Sequence, residues 1–243
     1  MTRAVLFAVA AVLLQSPSPV VRFGQAVTWA EVDTSHLKGR PAQLAWSDDG
    51  STIYLQLVEG DTVKNLKFRH YTVQRDGALK PIDAEPIWAR EYWKWKSAKT
   101  FFGDPDLAIE VDTQHQLLDD LNNRNRTVYL ESGRLYETVV ASKRNGGSIV
   151  VNRLLLKSHI IGEFIDEQVF PGYTFGWSPR ELGMIAYRAQ NGRLTVMNTF
   201  GETEAAPGLK DVLLPGWSED GESIACLERI ARNKFAVMVV GVQ

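Results

Sequence analysis

One cysteine in 243 residues excludes an intrachain disulfide, so packing must hold this fold together. That cysteine, Cys226, lies within a predicted inner strand, Ser223 to Glu228. It reads as a small buried apolar side chain rather than a nucleophile. A catalytic thiol needs a histidine and an electropositive cleft, and the sequence points to neither. Histidine is also scarce: His36, His70, His115 and His159 stand far apart, without the spacings of metal sites. No metal and no cofactor are therefore expected. The chain lacks an excess of either charge, with a net charge of −2 and a pI near 6.1. A nucleic-acid binder would favour a basic face, so that class of partner is set aside. Phosphate-binding glycine loops and a Gly-x-Ser-x-Gly elbow are missing too. The acidic turns Asp48-Asp49-Gly50 and Glu219-Asp220-Gly221 are too short for a calcium loop, which spreads its ligands over about twelve residues.

Long apolar runs are also absent. Ala4 to Leu14 is apolar throughout, but it falls short of the ~20 residues that a bilayer-spanning helix requires. It follows Met1-Thr2-Arg3 and is broken by Gln15-Ser16-Pro17-Ser18-Pro19. A short basic start, a short apolar stretch and a polar exit predict a signal peptide over residues 1–19. The mature chain is then periplasmic or secreted, with no membrane span. No cysteine follows the apolar run to carry a lipid anchor.

What is present is a strand-turn-strand unit that recurs. It stands at Leu44-Ala45-Trp46-Ser47-Asp48-Asp49-Gly50-Ser51-Thr52-Ile53-Tyr54 and at Leu214-Pro215-Gly216-Trp217-Ser218-Glu219-Asp220-Gly221-Glu222-Ser223-Ile224-Ala225. One residue longer, it returns at Gly176-Trp177-Ser178-Pro179-Arg180-Glu181-Leu182-Gly183-Met184-Ile185-Ala186-Tyr187. Asp-Gly supplies the positive φ of a tight hairpin turn, and Ser or Asp side chains can bond the local backbone. The tryptophan offers a large apolar surface where neighbouring units meet. Between Trp46 and Trp177 two degenerate starts are expected. One is Val140-Ala141-Ser142 with Ser148-Ile149, where alanine replaces tryptophan, and Ile161-Gly162-Glu163 downstream echoes the turn Phe200-Gly201-Glu202. The other is Tyr92-Trp93-Lys94-Trp95-Lys96-Ser97.

Starts near residues 46, 94, 141, 177 and 217 average about 43 residues apart, within the ~40–45 of a four-stranded propeller blade. The expected fold is all-β: a single β-propeller over residues 22–243, with about five four-stranded blades. Six blades would follow if residues 88–140 hold two short units. The last unit has only three strands of its own. The alternating segment Ala26 to Val32 is expected to add the fourth and close the ring.

The motifs Trp217-Ser218-Glu219-Asp220-Gly221 and Trp177-Ser178-Pro179, with Ile224-Ala225 and Ile185-Ala186-Tyr187, resemble the repeat of TolB-type, WD40-like β-propellers. The resemblance covers residues 41–80 and 171–240. It implies a fold more than an activity, because related repeats occur both in periplasmic scaffolds and beside hydrolase domains.

Any function is expected where the repeat fails. Ile87 to Phe102 combines six aromatic residues with Arg90, Lys94, Lys96 and Lys99. Trp88, Arg90, Tyr92, Trp93 and Trp95 are the candidate ligand- or partner-binding residues, since aromatics and arginine are favoured at interface hot spots. The competing reading packs these aromatics into a blade core with the lysines facing water. No catalytic residue is assigned. The expected function is an exported, non-enzymatic scaffold that binds a protein or peptide. The alternative is a carbohydrate-binding or carbohydrate-active propeller, for which Asp104, Asp106, Glu110 and Asp112 supply carboxylates.

Overall fold

A computed structural model describes residues 20–60, 65–75, 77, 79–92, 129–130, 133–134, 136–142, 148–156, 159–165, 175–178, 183–198 and 200–243. The expected signal peptide (1–19), Trp93, Trp95 and the four carboxylates from Asp104 to Asp112 lie outside the described residues.

The chain enters through strand β1 (Phe23–Asp33) and a short helix, α1 (Thr34–Leu37). Strands β2 (Arg40–Trp46), β3 (Thr52–Glu59), β4 (Lys67–Gln74) and β5 (Leu79–Ile82) follow. After helix α2 (Ile87–Tyr92) come β6 (Tyr129–Leu130), β7 (Gly133–Arg134), β8 (Tyr136–Ser142), β9 (Ser148–Leu156) and β10 (His159–Ile165). Next are β11 (Phe175–Trp177), β12 (Ile185–Arg188), β13 (Leu194–Met197) and β14 (Thr203–Ala205). The last strands are β15 (Val212–Trp217), β16 (Ser223–Ala231) and β17 (Lys234–Val242).

The fold is all-β, and the described residues form three four-stranded antiparallel sheets: β2-β3-β4-β5, β11-β12-β13-β14 and β1-β17-β16-β15. In the third sheet the N-terminal strand supplies the fourth position. It pairs with β17 from Phe23↔Val242 to Asp33↔Lys234. A β8-β9-β10 sheet has three strands among the described residues, where four were expected.

The register explains the repeated motif. Trp46 pairs with Ile53, Trp177 with Ile185 and Trp217 with Ile224. Ala141 pairs with Ile149 in the same way. One expectation needs correcting. Ile161-Gly162-Glu163 is not a turn like Phe200-Gly201-Glu202 but lies inside β10, where the register slips between Ile160 and Gly162. An extra residue placed in a strand is absorbed as a bulge without ending the pairing.

The third sheet is covered on both faces, which is why its inner strands read as unbroken apolar runs. Ala225, Leu227, Phe235 and Val237 pack in one core with Trp46, Leu44 and Leu55 of the first sheet. Trp217, Ile224, Cys226 and Met238 turn the other way, onto Ala186, Leu194 and Val196 of the β11–β14 sheet. Strand β15 therefore lies between β2 on one side and β11 and β12 on the other. Close approach of these strands demands small residues just before each tryptophan. A Cβ on Gly176 would stand 2.6 Å from the Pro215 carbonyl oxygen. In the first sheet the same position holds Ala45, which is fully buried.

Candidate functional site

The acidic turns are built alike. Ser47 N–H donates to the Thr52 carbonyl (2.8 Å), and Thr52 N–H returns a bond to Ser47 Oγ (2.9 Å). Ser218 and Ser223 repeat the exchange at 2.8 and 2.9 Å. Ser178 and Met184 repeat it again across the longer turn, at 2.9 and 2.8 Å. Within the first turn Asp49 accepts from Ser47 Oγ (2.6 Å) and from Ser51 N–H (3.0 Å). These donors, the Ser47 hydroxyl foremost, hold the Asp49 carboxyl down at about 2. Asp220 accepts from Ser218 Oγ and Glu222 N–H. Gly50 and Gly221 take the positive φ values, 66° and 76°, that the turns require.

Two places on this frame have the makings of a site. The first lies under α2, the start of the aromatic stretch. Ala89 and Tyr92, three residues apart, face the core, while Ile87 and Arg90 face solvent. Trp88 sits between these faces, edge-on to Tyr54 with ring centroids 6.3 Å apart. Gln56 Nε2 donates to the Tyr54 hydroxyl at 3.1 Å, and that hydroxyl lies 2.6 Å from His70 Nδ1. An amide nitrogen can only donate, so the Tyr54 hydroxyl accepts from Gln56 while it shares a second hydrogen bond with His70 Nδ1. Burial raises the Tyr54 pKa well above that of an ordinary phenol, against the bond from Gln56, and so keeps it a donor. Arg90 reaches Glu85 at 3.6 Å on the outer side. The cluster thus offers an aromatic edge beside an imidazole, an amide, a carboxylate and a guanidinium.

Of the five predicted residues, Trp88 and Arg90 come together here. Tyr92 goes elsewhere: it is buried, and its hydroxyl donates to the Trp217 carbonyl at 2.6 Å. Burial raises its pKa also. This tyrosine ties α2 to the last sheet. The sequence reading missed Tyr54, Gln56 and His70. The available signal was the period-two spacing of Tyr54 and Gln56 on an otherwise apolar strand, with His70 opposite Gln56 in the register.

The second place is an open groove of about 520 Å³ between the first and last sheets. Its floor includes Trp29 and Trp46, whose rings meet edge to face at 5.4 Å. Val27 and Val239 extend the apolar surface, and Gly241, lacking a side chain, leaves room above it. At one end stand the turns bearing Asp49 and Asp220, and the β4–β5 turn contributes Arg75. Sequence spacing could not disclose this groove, because its walls come from opposite ends of the chain. The volume lies within the ~300–1,000 Å³ usual for ligand sites.

Among the described residues no group of three or more His, Cys, Asp or Glu side chains is placed to hold a metal ion. No described helix is long and apolar enough to cross a membrane. Cys226 is buried, which drives its thiol pKa upward and keeps it in the unreactive protonated form. No protein-family model matches the chain, and no curated protein matches it.

Proposed function

We propose that this chain is an exported β-propeller of the TolB-type, WD40-like kind, acting as a non-enzymatic scaffold that binds a protein or peptide partner. Support for the ring comes from the shared Trp/Ala–Ile register in four sheets, from β15 lying against its neighbours on both sides, and from β1 completing the last sheet. About five blades fit this arrangement, with the ring closed by β1.

The observation that carries the binding role is the groove between the first and last sheets. It combines an aromatic and aliphatic floor with a polar rim on strands whose cores are tightly packed. Rigid scaffolds with such a concave, partly apolar surface bind at low ordering cost. A second reading rests on the α2 cluster. A half-buried tryptophan beside an amide, an imidazole and a carboxylate has the chemistry that recognises a sugar, an apolar ring face plus hydroxyl partners.

One pair of measurements separates the two readings. A pull-down with the tagged mature chain from envelope extract should return one stoichiometric protein, and a Val27→Lys variant should lose it. Glycan-array binding that disappears in Trp88→Ala, with no stoichiometric protein partner, would replace the scaffold by the sugar-binding reading.

A further inference from the structure

We infer that the groove between the first and last sheets receives an extended, basic segment of a partner protein. This identifies the partner chemistry of the scaffold proposed above and rests on that reading. Three features of the groove carry the inference: its length, its floor and its charge.

Gln25, Val27 and Trp29 line it at alternate positions of β1. Four residue steps along a strand cover about 13 Å, enough to run beside several residues of an extended chain. The floor is apolar but broken. Val27 is 48% exposed although it lies beside the buried Trp29. One aliphatic side chain from a partner would cover Val27 and Val239 together.

The charge lining the end of the groove is predominantly negative, Asp49 and Asp220 against Arg75. The two hairpin turns carry Asp48, Asp49, Glu219, Asp220 and Glu222, all exposed. Arg75 is the cationic side chain among the described lining residues. Asp49 is also held in its charged form by three donated hydrogen bonds, from Ser47 Oγ, Ser51 N–H and Ser51 Oγ. Lysine or arginine side chains of a bound segment would lie against these turns while its aliphatic residue rests on Val27. Complementary charge of this kind chiefly sets partner choice and association rate, and salt weakens it. Such a site favours a basic segment over an acidic one of equal hydrophobicity.

The test uses the purified mature chain and two labelled, end-capped peptides, Lys-Leu-Lys-Leu-Lys and Glu-Leu-Glu-Leu-Glu, followed by fluorescence anisotropy. The basic peptide should bind, with affinity falling as salt rises, and the acidic one should not. Val27→Lys should raise the Kd of the basic peptide by roughly tenfold or more. Val27→Thr, which keeps a β-branched residue on the strand, should change it far less. Should Val27→Lys alter the thermal transition, the double variant Asp48→Lys/Glu219→Lys tests the same point from the exposed turns. It should weaken the basic peptide and admit the acidic one. Equal binding of the two peptides, or a basic peptide indifferent to both sets of variants, would overturn the inference while leaving a peptide-binding scaffold standing. A neutral oligosaccharide bound where neither peptide binds would sink the scaffold reading with it.

Discussion

Trp46 and Trp217 occupy the same position in their sheets, are both buried and both pair with an isoleucine, yet their indole nitrogens fare differently. Trp46 Nε1 donates to the Gly216 carbonyl at 3.0 Å, bridging the first and last sheets. Trp217 Nε1 is buried with no hydrogen-bond partner among the described residues. Replacing either ring with phenylalanine removes similar apolar area, on the order of 1–2 kcal/mol at ~25 cal/mol per Å². The polar terms then diverge. Trp46→Phe deprives the buried Gly216 carbonyl of its inter-sheet donor while the ladder to Ala225 remains, which costs about 0.5–1.5 kcal/mol more. Trp217→Phe removes an unpaired donor whose burial was itself unfavourable, so part of the packing loss is recovered. Trp46→Phe should therefore be more destabilising by roughly 1 kcal/mol or more. Urea unfolding followed by far-UV circular dichroism, at constant m, reads the difference as separated midpoints. Benzothienylalanine, which keeps the bicyclic shape but lacks the N–H, removes the packing term from the comparison. Equal midpoints for the two variants, or a lower one for Trp217→Phe, would refute the assignment of an inter-sheet bond to Trp46.

Two further perturbations probe the same junction and its turns. A Cβ on Gly216 would lie 2.7 Å from Tyr92 Oη, so Gly216→Ala should cost about 1–3 kcal/mol. Tyr92→Phe removes that oxygen, and the double variant should be more stable than the sum of its parts predicts; strict additivity in the unfolding midpoints would show that the contact is not the cause. The Asp49 carboxyl, lowered to about 2 by the Ser47 and Ser51 bonds, should titrate by carbon-13 NMR well below the ordinary ~3.9 of aspartate. Because its folded value is depressed, its contribution to stability is present above pH ~4 and is lost as pH falls through ~2. Asp49→Asn should flatten that part of the acid profile, and a titration midpoint near 3.9 would remove the proposed hold on the turn.

The strands were readable because each level of the sequence agrees. The strand that follows each turn is apolar without a break because both its faces are covered: Ile224-Ala225-Cys226 by the sheets on either side, and Ile53-Tyr54-Leu55 by the shared core on one face and Trp88 of α2 on the other. The Asp-Gly turns need positive φ, and the residue type alone reveals it. The place of β1 could be anticipated from its alternation, though its pairing with β17 spans almost the whole chain. Less was legible in Ile87–Tyr92. Its aromatic density suggested a strand-borne platform, but Ala89 and Tyr92 repeat at the helical spacing of three, and the segment forms a helix after Pro86. Tertiary contact then divides its aromatics: Trp88 stays half-exposed beside Tyr54, and Tyr92 is drawn into the core by the Trp217 carbonyl. Residue type did not announce that division, because both rings are equally suited to burial or to binding.

The repeated turn acquires a second meaning only when two copies are set side by side. Within one sheet Asp49 or Asp220 closes a hairpin, and its hydrogen bonds account for its presence. The β11–β12 turn performs the same backbone exchange from Ser178 without an Asp-Gly pair at its tip. The serine exchange recurs in all three turns, whereas Asp49 and Asp220 have no Asp-Gly counterpart in the third. They recur in the two sheets that flank the groove, where β1 joins the ends of the described fold and leaves Val27 exposed between them. The Asp-Gly form of the joint is thus the one that borders the groove. A basic partner, as inferred for the groove, would meet these two carboxylates in addition to their role in closing the hairpins.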